Sequence, residues 1–216
     1  MSNGHEASPT GAPSGADAGR STHDRLVDAA WDVFVKQPYD NVRIAEVAAR
    51  AEVSTGSFYS YFESKEALFR EVSLRALDEM YSYDRRDPDN TQHNPVRDIA
   101  YGIRQYYLVC YRLRIIAQSI EQVHVLDDEV RVTRRGTLMR GAKRIERLIA
   151  RFQAEGITDP TVDPWLTALE LQTMTIQLGY DQLVHRDQAQ DIDALVAAVT
   201  PIWARSIGLE RWLPMR

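Results

Sequence analysis

Apolar residues recur at helical spacing along most of this chain, and no stretch shows sustained alternation of apolar and polar residues. Alternation with a period of two marks a half-buried strand, so the pattern predicts an all-α fold. The chain has 216 residues, of which 44% are hydrophobic. It can therefore fill the core of one large domain, or of a small domain fused to a larger one.

Two short helices joined by a tight turn are predicted near the N-terminus. A first helix covers about residues 22–36, where Ser21 and Asp24 resemble a capping box. A helix of barely two turns then ends near Glu52, and Ser54 can cap a third helix of similar length. This is the helix-turn-helix pattern, in which the later of the two short helices reads DNA.

Longer helices are expected to account for the rest of the chain. Ser64 caps a helix that runs to about Tyr83, and a turn-rich connector follows. Four further helical segments are expected at roughly 95–124, 127–155, 163–185 and 190–207, the first of them broken near residues 112–114. Residues 1–19 are rich in small and turn-forming residues and are expected to form a disordered tail.

The overall charge gives no sign of a nucleic-acid partner. The formal net charge of -5 argues mildly against DNA, because proteins that neutralise phosphates usually carry excess Lys and Arg. Residues 53–62, however, hold no charged side chain, so no carboxylate there would repel a phosphate. The sequence shows neither an apolar run of about 18 residues nor a signal-peptide pattern, so we expect a cytoplasmic location and no membrane partner.

The segment VSTGSFYSYFESKEAL, residues 53–68, places hydroxyl groups where a helix of a soluble protein usually carries charge. Phe58 and Phe62 are four residues apart and are expected to face inward. The remaining surface carries the hydroxyl side chains of Ser54, Thr55, Ser57, Tyr59, Ser60 and Tyr61. Hydroxyls can donate to phosphate oxygens and base edges, and Gly56 lets the backbone come close to a groove.

The longer run VAARAEVSTGSFYSYFESKEAL, residues 47–68, resembles the DNA-binding signature of TetR-family transcriptional regulators. The resemblance implies an N-terminal three-helix helix-turn-helix domain, residues 20–65, and a larger helical domain, residues 66–216, that binds an effector and dimerises. It also implies a ligand-responsive regulator, most often a repressor, that binds a palindromic operator in double-stranded DNA as a homodimer. A small, mostly apolar effector would release it.

The resemblance also assigns DNA contacts by position. The residues that it places against DNA are Thr55, Gly56, Ser57, Tyr59, Ser60 and Tyr61. Lys65 would meet a phosphate, and it stands just inside a helix N-terminus, where free N–H groups already favour an anion. For Ser54 the capping role is favoured over a base contact.

Two positions depart from the family pattern. Glu52 stands where members often have glycine; a non-glycine residue with positive φ costs roughly 1 kcal/mol, so the turn should survive. Arg43 stands where many members have Thr or Ser. It could reach a phosphate or a guanine edge, or it could be a solvated surface arginine.

Effector contacts are suggested by residue type. The larger half is rich in aromatic and sulfur-containing side chains, Tyr106 among them, which are the materials of an apolar pocket. The candidates for ligand binding are Tyr101, Tyr107, Tyr111, His124, Met139, Trp165, Met174 and Tyr180. Core packing is the commoner role of aromatic residues at helical spacing and remains the alternative.

Two apolar stripes are candidates for a four-helix dimer interface. They comprise Leu171, Thr175, Leu178 and Gln182 on one helix, and Leu195, Val199 and Ile202 on the next. This assignment follows the family, because the same stripes would also serve a core within one subunit. Dimerisation itself follows from the DNA argument too, since one short helix reads few bases and two-fold pairing doubles the site.

The helical segment over residues 127–155 is strongly basic. Its apolar residues cluster on one side, and the basic residues fall opposite: Arg140, Arg144, Arg147 and Arg151. The simplest interpretation is an amphipathic helix with a solvated basic face. The alternative is an anionic ligand, such as a coenzyme A thioester, held by Arg131 or Arg135.

The sequence does not predict an enzyme. Its histidines are scattered, and it shows no nucleophile motif and no glycine-rich phosphate loop, so no cofactor is expected. Cys110, the single cysteine, is expected to be a small buried hydrophobe. Two other functions stay open: a DNA-binding protein without an effector, and an all-helical small-molecule enzyme whose helix-turn-helix resemblance is accidental.

Overall fold

The computed structural model describes residues 21–82, 87–123, 128–185 and 191–214, and within these ranges the regular structure is helical, as predicted. The α-helices are α1 Thr22–Phe34, α2 Ile44–Arg50, α3 Thr55–Phe58, α4 Lys65–Tyr81, α5 Pro95–Arg112, α6 Arg114–Val123, α7 Asp128–Ala154, α8 Pro164–Gly179 and α9 Ile192–Ser206. A π-helical turn continues α8 over Tyr180–Val184, and short 3₁₀ turns lie at Tyr39–Asn41 and Glu210–Trp212. The tail expected at residues 1–19 lies outside the described residues.

Side-chain caps fix where the N-terminal helices begin. Ser21 and Asp24 form the predicted capping box, in which Ser21 Oγ accepts the Asp24 N–H at 3.1 Å. Ser54 Oγ accepts the N–H of Ser57 at 3.0 Å, and Ser64 caps α4 in the same way. These oxygens satisfy N–H groups that have no partner within the first turn of a helix. The predicted roles of all three serines are therefore confirmed.

The turn between α2 and α3 holds a non-glycine residue in the left-handed region. Glu52 has a φ of 57°, as expected at a position where similar proteins often carry glycine. The next helix, α3, is a single turn that ends at Phe58, shorter than predicted. Hydrogen bonds from the N–H groups of Ser60 and Tyr61 to carbonyls three residues back continue the chain as a tighter turn.

Aromatic packing holds the N-terminal helices together. Phe58 and Phe62 are buried, as predicted, with ring centres 5.7 Å apart. The rings of Phe34, Tyr39 and Phe69 form a second group, with centres between 4.8 and 6.1 Å apart. Burying one such side chain stabilises a fold by roughly 1.5–3 kcal/mol. The second group thus joins α1 to α4, and Phe62 stacks on His23 of α1 with ring centres 4.8 Å apart.

The N-terminal unit meets the larger part of the chain through α4 and α6. Helix α4 packs against α1 and also against α7. A separate contact joins Tyr39, in the segment before α2, to Ser119 on α6 through a buried hydrogen bond. The predicted break in the 95–124 segment falls at Leu113, between α5 and α6.

The core of the larger part includes a close approach between α5 and α8. A Cβ added at Gly179 would lie 3.1 Å from the ring of Tyr107 and 3.3 Å from that of Tyr106, so glycine admits both tyrosines. Cys110 is fully buried, as predicted, and burial raises the pKa of its thiol to about 12. Within the described ranges, every helix is too short or too polar to cross a bilayer.

Candidate functional site

Residues 54–61 form an exposed surface of hydroxyl and small side chains, which we call the hydroxyl face. Tyr59 and Tyr61 are 56% and 47% exposed, although large aromatic side chains are usually buried. Phe58 anchors this face from inside, and its ring meets that of Tyr59 edge-on at 5.3 Å. Exposed positions also include Ser54, Thr55, Gly56 and Ser60. The face therefore offers hydroxyl donors and acceptors, without a carboxylate, to a partner outside the subunit.

Ser54 and Ser57 have a structural role in this face. Their hydroxyl oxygens lie 2.8 Å apart, and Ser54 also accepts the backbone N–H of Ser57. Ser57 is half-buried, so its hydroxyl is less open than those of Thr55 and Ser60. The cap favoured for Ser54 is present, and the DNA contacts assigned to the hydroxyl face stay predictions.

Gly56 is not required by packing within the subunit. A Cβ added there would meet nothing closer than Ser54 Oγ at 3.7 Å, which is ordinary van der Waals contact. Glycine costs up to about 1 kcal/mol relative to alanine inside a helix. The absence of a side chain at Gly56 is therefore better explained by a binding partner that approaches this surface closely.

Several cations of the N-terminal unit are neutralised within it. Arg50 pairs with Asp32 at 2.6 Å, and Arg75 pairs with Asp28 at 2.7 Å. Arg43 is exposed at the start of α2 and forms no ion pair with a described residue. Its charge is thus available to a phosphate, and its role as a DNA contact stays a prediction.

Lys65, which is predicted to meet a phosphate, is held by carbonyl groups of its own subunit. Its Nζ donates to the carbonyl oxygens of Tyr39 at 3.0 Å and Val42 at 3.3 Å, and it lies 4.2 Å from the centre of the Tyr39 ring. The first role of Lys65 is therefore to clamp the start of α4 to the segment before α2. An ammonium has three N–H donors, so a phosphate contact stays a prediction for the donor that these carbonyls do not use.

A large open cavity lies in the second part of the chain. Its volume is about 1260 Å³, and its walls come from the end of α4, the segment before α5, helices α5, α7, α8 and α9, and the C-terminal turn. Apolar walls are formed by Ile99, Ile103, Ile145, Phe152, Ile176 and Trp203. Ligand pockets typically measure about 300–1,000 Å³ with mostly apolar walls and a few polar groups. The cavity is large enough for a molecule of that class.

Two indole groups supply polar contacts in the cavity wall. Trp203 Nε1 donates to Thr175 Oγ1 at 2.9 Å, and both residues line the cavity. Trp212, in the C-terminal turn, has a buried Nε1 without a hydrogen-bond partner among the described residues. A buried donor of this kind is costly unless it binds something, so Trp212 offers an N–H to a bound molecule.

The residues suggested by type for ligand binding do not form this cavity. None of the described candidates lines it: Tyr101, Tyr107, Tyr111, Met139, Trp165, Met174 and Tyr180. Tyr107 and Tyr180 are buried in the core, whereas Met139 on α7 is exposed. The predicted ligand contacts of these residues are therefore corrected. A residue reaches the cavity when it lies on the side of its helix that faces the cavity, whatever its type. His124 lies outside the described residues, and Tyr106 does line the cavity.

The basic side of α7 is exposed, as predicted, and part of it also borders the cavity. Arg144, Arg147 and Arg151 all line the cavity. Arg144 and Leu148 are four residues apart, and this spacing was the sequence signal that could have placed the arginines beside an apolar wall.

The alternative anion site at Arg131 or Arg135 lies elsewhere on α7. Neither residue lines the cavity. Arg131 instead pairs with Asp128 at 2.6 Å, in the first turn of the helix. The arginines that line the cavity lie at least nine residues further along α7.

The predicted dimer residues lie mostly on the wrong side of their helices. Leu171, Thr175 and Val199 are buried within the subunit and cannot meet a second copy. Leu178, Gln182 and Leu195 are partly buried, and the two leucines pack against the same core. Of the predicted set, Ile202 is exposed, at 46%. The stripes thus serve the intrachain core, and the opposite side of α9 exposes Ala194, Ala197, Ala198 and Ile202.

The structure combines two features. A helix-turn-helix unit presents an uncharged hydroxyl face, and α4 joins this unit to a larger helical part that contains a cavity. This combination is typical of a transcriptional regulator of the helix-turn-helix class. Residues 26–72 match the sequence model of the bacterial regulatory proteins of the tetR family. This N-terminal part of the chain is therefore similar to the DNA-binding domain of tetR-family regulators, as the resemblance implied.

Relatives and solved structures agree with this assignment. The chain is 23% identical over 177 residues to the HTH-type transcriptional repressor KstR of Rhodococcus jostii (strain RHA1), covering 82% of this chain and 80% of KstR. A tetR-family transcriptional regulator from Streptomyces coelicolor has a TM-score of 0.67 at 16% identity, covering 86% of this chain and 79% of that one. The fatty acid degradation regulator FadR from Bacillus halodurans has a TM-score of 0.59 at 20% identity, covering 84% and 94%. The two structures show a shared fold, and the match of residues 26–72 together with the relative KstR supports a transcriptional regulator.

Proposed function

We propose that the protein is a ligand-responsive repressor that binds a near-palindromic operator as a homodimer and is released when a small, mostly apolar effector fills the cavity. The observation that carries this proposal is the course of α4. The helix begins at Lys65, which is clamped to the helix-turn-helix unit, and ends at Tyr81, which lines the cavity. A ligand that displaces the Tyr81 end therefore displaces the DNA-binding end of the same helix.

The hydroxyl face is the surface that enters the major groove. In this arrangement Thr55, Gly56, Ser57, Tyr59, Ser60 and Tyr61 contact DNA. Arg43 binds a phosphate or a guanine edge, because its charge has no partner within the described residues. A single turn of helix reads few base pairs, so specific binding needs two copies whose hydroxyl faces lie one helical turn of DNA, about 34–36 Å, apart.

The exposed side of α9 is the surface for the second copy. Ala194, Ala197 and Ala198 are small, so a helix of the partner can approach closely, and Ile202 supplies apolar area at the end of the same stripe. Packing of helices from the two subunits against each other is a common way to build a two-fold symmetric interface.

Release is a shift between two populations. The ligand binds more tightly to a conformation of the dimer in which the spacing of the two hydroxyl faces does not match adjacent major grooves. The operator binds more tightly to the conformation in which that spacing does match. Repression as the sign of control is supported by the relative KstR, which is a transcriptional repressor.

The cavity also bears on the rival function, a DNA-binding protein without an effector. Such a protein needs its larger half only to dimerise, and a packed interior would favour it. The opening of about 1260 Å³ with mostly apolar walls favours a ligand-responsive protein instead.

Selection of the protein against random duplex DNA tests the proposed function. Mass spectrometry of the purified protein first identifies any bound small molecule, which is then removed. The expected result is an enriched inverted repeat, bound by two copies of the chain with an affinity that falls as salt rises. Failure of the ligand-free protein to enrich any sequence would contradict the proposal.

A further inference from the structure

The mouth of the cavity carries two arginines that no described carboxylate neutralises. Arg144 and Arg147 line the cavity from α7, and neither forms an ion pair within the described ranges. Arg151, the third arginine of this wall, faces Glu155, with 3.9 Å between Nε and Oε1. Arg144 and Arg147 are therefore the cations of this wall that are left for a bound molecule.

The acidic side chains of the same wall are already engaged. Asp87 binds the guanidinium of Arg97, which holds the pKa of the Asp87 carboxyl below its usual range. Asp98 accepts the backbone N–H of Asp87 at 3.2 Å, and Glu155 faces Arg151. None of these carboxylates forms an ion pair with Arg144 or Arg147, so no described ion pair cancels the positive charge there.

Apolar wall begins directly beside this charge. Ile145 and Leu148 follow the two arginines in sequence, Phe152 lies one turn further, and all three line the cavity. A ligand that satisfies both parts needs a hydrocarbon body and an anionic end. We infer that the effector is an amphipathic anion, an extended apolar molecule whose carboxylate or phosphate is bound by Arg144 and Arg147. This inference rests on the proposed function, because it names the ligand class of the same cavity.

Arg144 also contacts the helix that leads to DNA. Its Nη1 donates to the carbonyl oxygen of Tyr81, the last residue of α4, at 3.4 Å. The last carbonyls of a helix lack partners within the helix, and a cation near them stabilises that end. An anion bound by Arg144 offsets the positive charge that stabilises this end of α4. Arg144 therefore couples ligand charge to α4, whereas Arg147 contributes to affinity alone.

Three probes with the same hydrocarbon chain test the ligand class: dodecanoate, dodecyl phosphate and dodecanol. Trp203 and Trp212 line the cavity, so intrinsic fluorescence reports binding without DNA. We expect at least one anion to bind about tenfold or more tightly than dodecanol, because a charge-assisted hydrogen bond is lost in the alcohol. The preferred anion identifies the head group. Equal binding of all three probes, or binding of none, would overturn the inference.

Matched methionine variants locate the head group. Arg144→Met and Arg147→Met keep the aliphatic stem of the side chain and remove the charge, and each should reduce the preference for the anion. Arg140→Met is the control, since Arg140 is exposed on the same helix, binds Thr137 Oγ1 and does not line the cavity. A preference that survives both cavity variants, or that is lost equally in the control, would refute the site.

Measurements of operator release distinguish the role of Arg144 from that of Arg147. Arg147→Met should bind the operator like the wild-type protein and be released once saturated with the anion. Arg144→Met should bind the operator more weakly without ligand and respond little to the anion. Wild-type operator affinity and release in Arg144→Met would refute the coupling role. Equal release by dodecanol would refute the ligand class while leaving ligand-responsive repression intact.

Discussion

The backbone N–H of Tyr39 donates a hydrogen bond of 3.1 Å to the hydroxyl of Ser119, and both residues are buried. This contact ties the segment before α2 to α6, and it is independent of the continuous path through α4. The helix-turn-helix unit therefore meets the larger part of the chain at two places. Its orientation depends on α6 as well as on α4.

Replacing Ser119 should weaken the joint between the two parts. In Ser119→Ala the buried N–H of Tyr39 loses its partner, which costs roughly 1–3 kcal/mol. Urea denaturation measures this loss of unfolding free energy. Ser73→Ala is the matched control, because the buried hydroxyl of Ser73 donates only within its own helix, to the carbonyl of Phe69 at 2.7 Å. Equal losses of unfolding free energy in the two variants would show that the hydrogen bond from Tyr39 to Ser119 does not stabilise the joint.

Gly56→Ala should separate folding from DNA binding. The added methyl meets only ordinary contacts inside the subunit, and alanine favours a helix over glycine by up to about 1 kcal/mol, so the melting temperature should stay the same or rise. Operator affinity should fall by about tenfold, or about 1.4 kcal/mol, because the methyl occupies the surface nearest the groove. Thermal melting and fluorescence anisotropy give the two quantities. Unchanged affinity would place Gly56 outside the DNA interface.

Glu52→Gly should stabilise the protein. Glu52 has a φ of 57°, a conformation that costs a non-glycine residue about 1 kcal/mol and costs glycine little. The expected gain in unfolding free energy is at most about 1 kcal/mol, because glycine also gains entropy when unfolded. Glu52→Ala removes the carboxylate but keeps the strain, so it should bring no such gain. A gain of the same size in the alanine variant would attribute the effect to charge.

Ile202→Glu should dissociate the proposed dimer. Ile202 lies in the exposed stripe of α9, and a buried carboxylate in a two-fold interface faces its own copy. Sedimentation velocity should show a monomer with an unchanged helical content by circular dichroism. Val132→Glu is the control, since Val132 is 66% exposed on α7. A dimer that persists in Ile202→Glu and is lost in Val132→Glu would move the interface to α7.

Cys110 should react with thiol reagents only after the protein unfolds. Burial raises the pKa of this thiol to about 12, above the value of about 8.5 for a free cysteine, so the reactive thiolate is scarce at pH 8. The labelling rate should rise with urea in parallel with loss of helical structure. Fast labelling of the folded protein would show that the core around Cys110 opens locally.

The N-terminal unit could be predicted from sequence because its signals are local. Capping by Ser54 and Ser64 depends on residues three positions away, and the inward direction of Phe58 and Phe62 depends on their spacing of four. The strained turn at Glu52 followed from position within a recognisable motif. The shortness of α3 could not be read in this way, since hydroxyl-rich segments favour helices and turns alike.

The cavity could not be predicted because it depends on packing between distant helices. Thr175 and Val199 formed plausible interface stripes, but α5 and α7 cover that side of the bundle. Lys65 looked free in the sequence, yet the carbonyls that hold it belong to residues 23 and 26 positions earlier. Residue type alone did not separate core from cavity, since Tyr107 is buried in the core whereas its neighbour Tyr106 lines the cavity.

Titration of the selected operator with Tyr59→Ala tests the role of the hydroxyl face most directly. Tyr59 is 56% exposed, so its truncation should change stability by no more than about 0.5 kcal/mol. We predict an affinity at least about tenfold weaker than that of the wild-type protein, with an unchanged melting temperature. Tyr101→Ala, on α5, should bind like the wild-type protein. Wild-type affinity in Tyr59→Ala would contradict the assignment of this face to DNA.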